Sequence, residues 1–278
     1  MKIDAHQHFW IYNSVRDAWI DDSMKILKRN FLPEDLEPVL KHSSIDGTIA
    51  VQADQSENET NFLLGLAEKN KWIFGVVGWI DLMAPDIEKR LERFSTIKKL
   101  KGFRHIVQAE PDNNFMVSEK FRRGIGFLKD FNLTYDILIY PHQLPAAIKL
   151  AEKNYEQKFI LDHIAKPFIR KKEIDPWASG IKELAKNYNV YCKISGIITE
   201  ADHKNWKPED IYPYLDIVFE AFGYERLLFG SDWPVCLLAG SYKKVFNLIK
   251  EYTKNSSKEN EEKIFGNNSV SFYNINIL

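Results

Sequence analysis

The sequence predicts an α/β fold of one kind, a single-domain (β/α)8 TIM barrel, on three observations. Eight short β-rich runs recur along the chain, stretches with apolar residues at helical spacing separate them, and 278 residues is a length that suits such a barrel. Strands alternating with helices imply parallel pairing through right-handed crossovers. The rival arrangement, an open doubly wound sheet, favours a glycine-rich phosphate loop after the first strand. His8-Phe9-Trp10 stands there instead.

The elements follow in order. The first run, Ile3–His8, carries His6 and His8 two positions apart, so on a strand both point to the same face. The stretch from about 9 to 33 is irregular and holds Trp10, Tyr12, Trp19 and Phe31. Loops that follow barrel strands gather at the catalytic mouth. This insert is therefore expected to cover the mouth as a lid or pocket wall, or to pack there as an aromatic plug. The second run is Gly47–Ala53, followed by a helical pattern over Glu59–Asn70; Ile73–Ile80 leads to Pro85–Ile97, and Gly102–Val107 to Ser118–Phe131. Thr134–Tyr140 precedes Gln143–Asn154, Phe159–Ile164 precedes Asp175–Asn187, Val190–Ser195 precedes Pro208–Phe222, and Leu227–Gly230 is the eighth run. Several helical stretches open on residues suited to a cap or first turn: Pro85-Asp86, Ser118, Pro145 and Asp175-Pro176. Nothing in the composition divides the chain, so one domain over 1–278 is expected.

Composition narrows the function. A hydrophobic content of 45% with 28% charged residues is that of a soluble globular protein, and a net charge of −1 gives no global field to attract nucleic acid or an anionic membrane. No stretch approaches 18 apolar residues, so no membrane span is expected. The two cysteines, Cys192 and Cys236, lack C-x-x-C spacing, and Asp4, His6 and His8 interrupt any leader-like apolar region. Cytoplasmic localisation is the expectation. The expected partner is a small-molecule substrate, and the chain is compatible with a homo-oligomer.

The informative polar residues fall at the C-terminal ends of the predicted strands: His6 and His8, His105, His142 just past the fifth strand, His163 and Asp232. In a barrel those ends converge. Neutral imidazoles bind a borderline metal, and a carboxylate serves as ligand or proton acceptor. Without a metal, the same histidines can polarise a carbonyl while the carboxylate activates water. Around this group, alternation lets only one of the adjacent Arg104 and His105 face the barrel; His105 is favoured as the substrate contact, which turns Arg104 toward the helices. Lys193 is expected to bind a substrate oxygen or to pair with a barrel carboxylate. His142 reads as a helix cap or a mouth residue, and Asp4 as an orienter beneath His6. Asp162 reads as structural, pointing away from His163. Gln52, Trp79 and Trp233 sit near strand ends, where they would shape the pocket.

Taken together, these segments resemble the amidohydrolase superfamily, in the branch of metal-dependent-hydrolase-like barrels that includes L-fuconolactonase and L-rhamnonolactonase. The resemblance is carried by Asp4-Ala-His-Gln-His-Phe-Trp10, Lys101-Gly-Phe-Arg-His105, Leu161-Asp-His-Ile-Ala-Lys-Pro167, Lys193-Ile-Ser-Gly196 and Leu228-Phe-Gly-Ser-Asp-Trp-Pro-Val235. Ile264-Phe-Gly-Asn-Asn268 with Phe272-Tyr273 is similar to the superfamily's closing helix. The resemblance implies that His6, His8, His163 and Asp232 form the metal or carbonyl-polarising site, with Asp232 as general base and then general acid. His105, Lys193, Trp79, Trp10 and Trp233 are expected to bind substrate. One divalent metal is implied, zinc first, and the branch includes members that dispense with it. Strand five, Tyr135-Asp-Ile-Leu-Ile-Tyr140, lacks the lysine that bridges two metals in many relatives, so a binuclear centre is not expected. The implied reaction is hydrolysis of a sugar-acid lactone to an aldonic acid, in carbohydrate catabolism. The alternatives are an aromatic-acid-derived lactone or a metal-dependent decarboxylation, and a barrel that only binds its ligand is the non-enzymatic rival.

Overall fold

The computed structural model describes residues 1–276; Ile277 and Leu278, the end of the expected domain, lie outside the described residues. Eight strands pair in sequence order, every neighbouring pair parallel: β1 (Ile3–Gln7), β2 (Gly47–Val51), β3 (Ile73–Gly78), β4 (Leu100–His105), β5 (Thr134–Ile137), β6 (Phe159–Leu161), β7 (Val190–Ile194) and β8 (Leu227–Phe229). The helices that follow them are α1 (Pro33–His42), α2 (Glu57–Lys69), α3 (Ile87–Ser95), α4 (Glu119–Leu128), α5 (Leu144–Lys153), α6 (Trp177–Ala185), α7 (Pro208–Phe222) and α8 (Tyr242–Thr253), with the short α9 (Lys258–Glu262) and α10 (Asn268–Phe272) closing the chain. This is the (β/α)8 barrel expected, as one domain.

Local chemistry explains where helices begin. The Ser56 hydroxyl accepts the Glu59 amide at 3.1 Å to cap α2, and α1 and α7 open on Pro33 and Pro208, whose missing N–H would be unpaired there in any residue.

Strand alternation makes two apolar layers. Outward residues such as Phe103, Tyr135, Ile137, Phe159, Leu161 and Cys192 pack under the helices. Inward residues Ile3, Ala5, Ile49, Val51, Val77, Ile160 and Leu228 fill the lower barrel, stoppered by Phe272, Tyr273 and Ile275 beyond the last turns. The closing segment supplies that stopper through a π-helical turn over Lys263–Asn267 that runs into α10.

Candidate active site

The barrel closes through backbone bonds that also assemble the site. The His8 amide donates to the Trp233 carbonyl at 2.7 Å, and the Asp232 amide donates to the His6 carbonyl at 2.8 Å. Closure therefore sets His6, His8 and Asp232 side by side. Asp232 Oδ1 lies 3.4 Å from His8 Nε2, 3.8 Å from His6 Nε2 and 4.0 Å from His163 Nε2, and the two Nε2 atoms of His6 and His8 are 3.2 Å apart. The four residues singled out in the sequence are thus brought together, all buried.

Two of them sit on unusual backbone. After β6, His163, Ile164, Ala165 and Lys166 all adopt left-handed φ between 49° and 59°, and Asp232 has φ of 56°. A run of non-glycine residues in this region is costly and survives only where surroundings enforce it. Here the Trp177 indole donates to the Ile164 carbonyl at 2.7 Å, and the Lys166 amide donates to the His163 carbonyl at 2.8 Å. Glycine makes room beside the site. A Cβ on Gly196, itself at φ 60°, would come within 2.5 Å of His163 Nδ1, and one on Gly230 within 2.7 Å of the His6 Cβ.

The electrostatics suit neutral bases around one anion. Burial lowers His6 well below the usual imidazole range, and burial pushes His163 down to about 4. Burial would raise Asp232, but His163, His8 and His6 outweigh it and hold the carboxyl below its usual range. His8 Nδ1 lies 2.7 Å from the Val51 carbonyl, which can only accept, so Nδ1 carries the proton and Nε2 presents its lone pair. His163 Nδ1 meets the Ser195 hydroxyl at 2.9 Å.

A charged layer lies beneath. Arg104 points into the barrel, correcting the expected orientation: Nη1 is 3.0 Å from Asp162 Oδ2 and 3.3 Å from His6 Nε2, and Nη2 donates to Gln52 Oε1 at 2.8 Å. Phe103 and His105 face outward instead, Phe103 edge-on to Phe94 of α3 and His105 stacked on Phe115. Asp162 also turns inward, because the left-handed turn lets it and His163 both face the axis; its Oδ1 is 3.3 Å from His6 Nδ1 and 3.0 Å from Lys193 Nζ. Burial opposes its charge, yet Lys193, His6 and Arg104 keep it an anion. Lys193 is fully buried between Asp162 and Asp136, and Asp136 is in turn approached by the Tyr273 hydroxyl at 3.2 Å.

Above the site opens a cavity of about 320 Å³, lined by His8, His163 and Asp232 at its foot, by Arg104 and Lys166, and by Trp10 and Trp19 from the insert. Gln55 and Gln108 supply neutral polar lining. The remaining expected contacts lie elsewhere. His105 Nε2 bonds Glu110 at 2.7 Å and its Nδ1 accepts from the Trp79 indole at 3.3 Å, both away from the cavity lining. Lys193 sits below it, Trp233 packs edge-on to Phe9 and Phe31, and His142 is exposed and stacked on Tyr140. The bonds of Asp4 go to the His6 and Ser231 amides and the Ser231 hydroxyl, at 3.1, 2.9 and 2.6 Å, tying β1 to the loop after β8. A register shift between Asp4 and Gln7 separates its face from that of His6.

His6 Nε2, His8 Nε2 and Asp232 Oδ1 fit a cation. Their mutual separations of 3.2, 3.4 and 3.8 Å bracket the edge, about 3.3 Å, of a tetrahedron with zinc-like bonds of about 2.0 Å.

The sequence pattern of the amidohydrolase family matches residues 3–275, and the chain belongs to that family. It is 39% identical, over 91% of its length and 89% of the other, to an L-fucono-1,5-lactonase of Burkholderia multivorans. A protein of the same name from Burkholderia ambifaria is 32% identical over 99% of this chain and 96% of its own. The crystal structure of a Burkholderia multivorans amidohydrolase with bound zinc matches at a TM-score of 0.96 and 36% identity, covering 99% of this chain and all of that one. Among the described residues no helix is long and apolar enough to cross a membrane.

Proposed function

We propose that this protein is a lactonase that hydrolyses a neutral sugar-acid lactone, of the L-fucono- or L-rhamnonolactone type, to the aldonic acid. The observation that carries this reading is the single carboxylate, Asp232, held as an anion within 4.0 Å of three histidine Nε2 atoms at the foot of a cavity. Kinship with two L-fucono-1,5-lactonases supports the substrate class.

Asp232 Oδ takes a proton from water as the water oxygen bonds to the lactone carbonyl carbon. The carbonyl electron pair moves onto its oxygen, where the Arg104 guanidinium opposes the new charge. The carbonyl re-forms, the bond to the ring oxygen breaks, and Asp232 returns the proton to that oxygen. His6, His8 and Asp232 would hold one divalent cation, zinc first, which supplies Lewis-acid polarisation when bound. The insert covers the mouth, and Trp10 and Trp19 give the sugar ring an aromatic wall. A dianionic aromatic-acid substrate is disfavoured: of the two cations among the described residues lining the cavity, Arg104 is already paired with Asp162, which leaves Lys166 alone to meet two carboxylates.

The test is a pH-indicator assay on five- and six-membered aldonolactones, corrected for spontaneous hydrolysis, with and without chelator. Turnover of a deoxy-sugar lactone is expected. Silence across the panel from folded, zinc-supplied protein overturns the reading.

A further inference from the structure

His6 differs from His8 in having two choices at each ring nitrogen. Nδ1 lies 3.3 Å from Lys193 Nζ, which only donates, and 3.3 Å from Asp162 Oδ1, which only accepts. Nε2 lies 3.3 Å from Arg104 Nη1, a donor, and 3.2 Å from His8 Nε2, an acceptor because the Val51 carbonyl fixes the His8 proton on Nδ1. Two lone pairs cannot face each other at 3.2 Å; a proton or a cation must lie between them. With a proton there, His6 Nε2–H donates to His8 Nε2 and Lys193 donates to His6 Nδ1. With a cation there, Nε2 must give up the proton and Nδ1 must carry it. Asp162 Oδ1 is the acceptor in waiting: fully buried, near Lys193, yet without a well-aligned hydrogen bond of its own.

We propose that Lys193 and Asp162 are paired positioning residues that let His6 exchange tautomers, so that it is an Nε2–H donor without a cation and an Nε2 ligand with one. The exchange moves one proton from Nε2 to Nδ1 of the same ring and leaves the net charge unchanged. Lys193 stabilises the first state and Asp162 the second. The site is thereby preorganised for two states, and neither leaves a buried imidazole nitrogen without a partner. This rests on the reading that His6, His8 and Asp232 take up a divalent cation.

The experiment is long-range ¹H–¹⁵N NMR of the histidine side chains in the full chain, stripped with chelator and then titrated with zinc alone, with uptake followed by calorimetry. The His6 signals are identified as those lost in His6→Gln. The expected result is Nε2 protonated before zinc and Nδ1 protonated after. Asp162→Asn should weaken zinc binding about 10- to 100-fold, and Lys193→Met, which removes the donor that serves only the cation-free state, should tighten it. Should Lys193→Met fold poorly with Asp136 unpaired, Lys193→Met with Asp136→Asn gives the same reading. Zinc uptake with one unchanged tautomer overturns the exchange, as does an Asp162→Asn variant with unaltered zinc affinity. Absence of uptake by calorimetry overturns the cation reading and this proposal with it, leaving the lactone assay to judge the activity separately.

Discussion

The lower barrel and the layer above it are built by the same strands, a step or two apart, and follow opposite rules. Below, Ile160, Leu228 and their neighbours meet the stopper of Phe272, Tyr273 and Ile275, and each contributes by leaving water, at about 25 cal/mol per Å² of apolar surface. Above, Arg104, Asp136, Asp162 and Lys193 are just as buried, but two cations and two anions taken from water roughly break even against apolar residues of the same size. A layer that adds little net stability and still fixes both ends of the His6 ring is there to position. The comparison separates residues that hold the fold from residues that hold the chemistry, and substitutions should respect that separation.

The largest effect is expected at the top of the barrel. Asp232→Asn removes the proton acceptor but keeps the shape, and asparagine tolerates the left-handed backbone found there. Turnover of the lactone should fall about 10³-fold or more, far more than the modest loss of stability expected from removing an anion that the folded chain favours, so the variant should still unfold cooperatively. A variant with near wild-type kcat would exclude Asp232 as the base.

Next comes the charged layer itself. Lys193→Met leaves Asp136 buried with only Tyr273 for company, which should cost about 3–5 kcal/mol in urea unfolding. Adding Asp136→Leu should restore most of that loss. If the double variant is no more stable than the single, the two charges are not coupled and the layer is not the unit described here. In the lower barrel the pattern reverses. Leu228→Ala should cost about 3 kcal/mol through lost burial and an unfilled cavity, while kcat/KM stays within about twofold at a temperature where the variant is folded. A large loss of activity there would erase the distinction between the two layers.

Much of this was legible in the chain. Each of the eight strands overlaps the β-rich run read for it, although β4 begins earlier, at Leu100, and β5 and β6 stop short, at Ile137 and Leu161. His6, His8, His163 and Asp232 meet as their strand-end positions implied, because barrel closure is a backbone property. The charged layer was harder to read. Each of its members has apolar or aromatic neighbours on both sides, as in Phe103-Arg104-His105, Tyr135-Asp136-Ile137, Leu161-Asp162-His163 and Cys192-Lys193-Ile194. In a strand roofed by helices the flanking pair faces outward, so the charge must face the axis; His163 alone departs from this, swung inward by the left-handed turn. Reading His105 by its chemistry alone reversed that parity. The left-handed turn at 163–166 could not be inferred, since Asp-His-Ile-Ala-Lys contains no glycine to announce it.

A smaller and pH-dependent effect marks the edge of the mouth. Glu59, in the first turn of α2, accepts the Ala53 amide at 3.2 Å, and Ala53 lines the cavity. Burial raises its carboxyl to about 7, with Asp54 and Asp17 adding to the rise and Arg16 and the Ala53 amide opposing it. The folded chain therefore holds this proton more tightly than the unfolded one. The resulting stability is fully present below about 4.5, the unfolded value, and is lost as pH rises to about 7. Glu59→Gln keeps a neutral acceptor for Ala53 at every pH. It should match the parent near pH 4.5 and exceed it by up to about 3 kcal/mol at pH 8, read as a difference in unfolding midpoints that grows across that interval. A difference that stays flat with pH would mean that Glu59 titrates in the folded chain as it does in the unfolded one, and that the wall of the mouth tolerates an ion as the lower barrel does not.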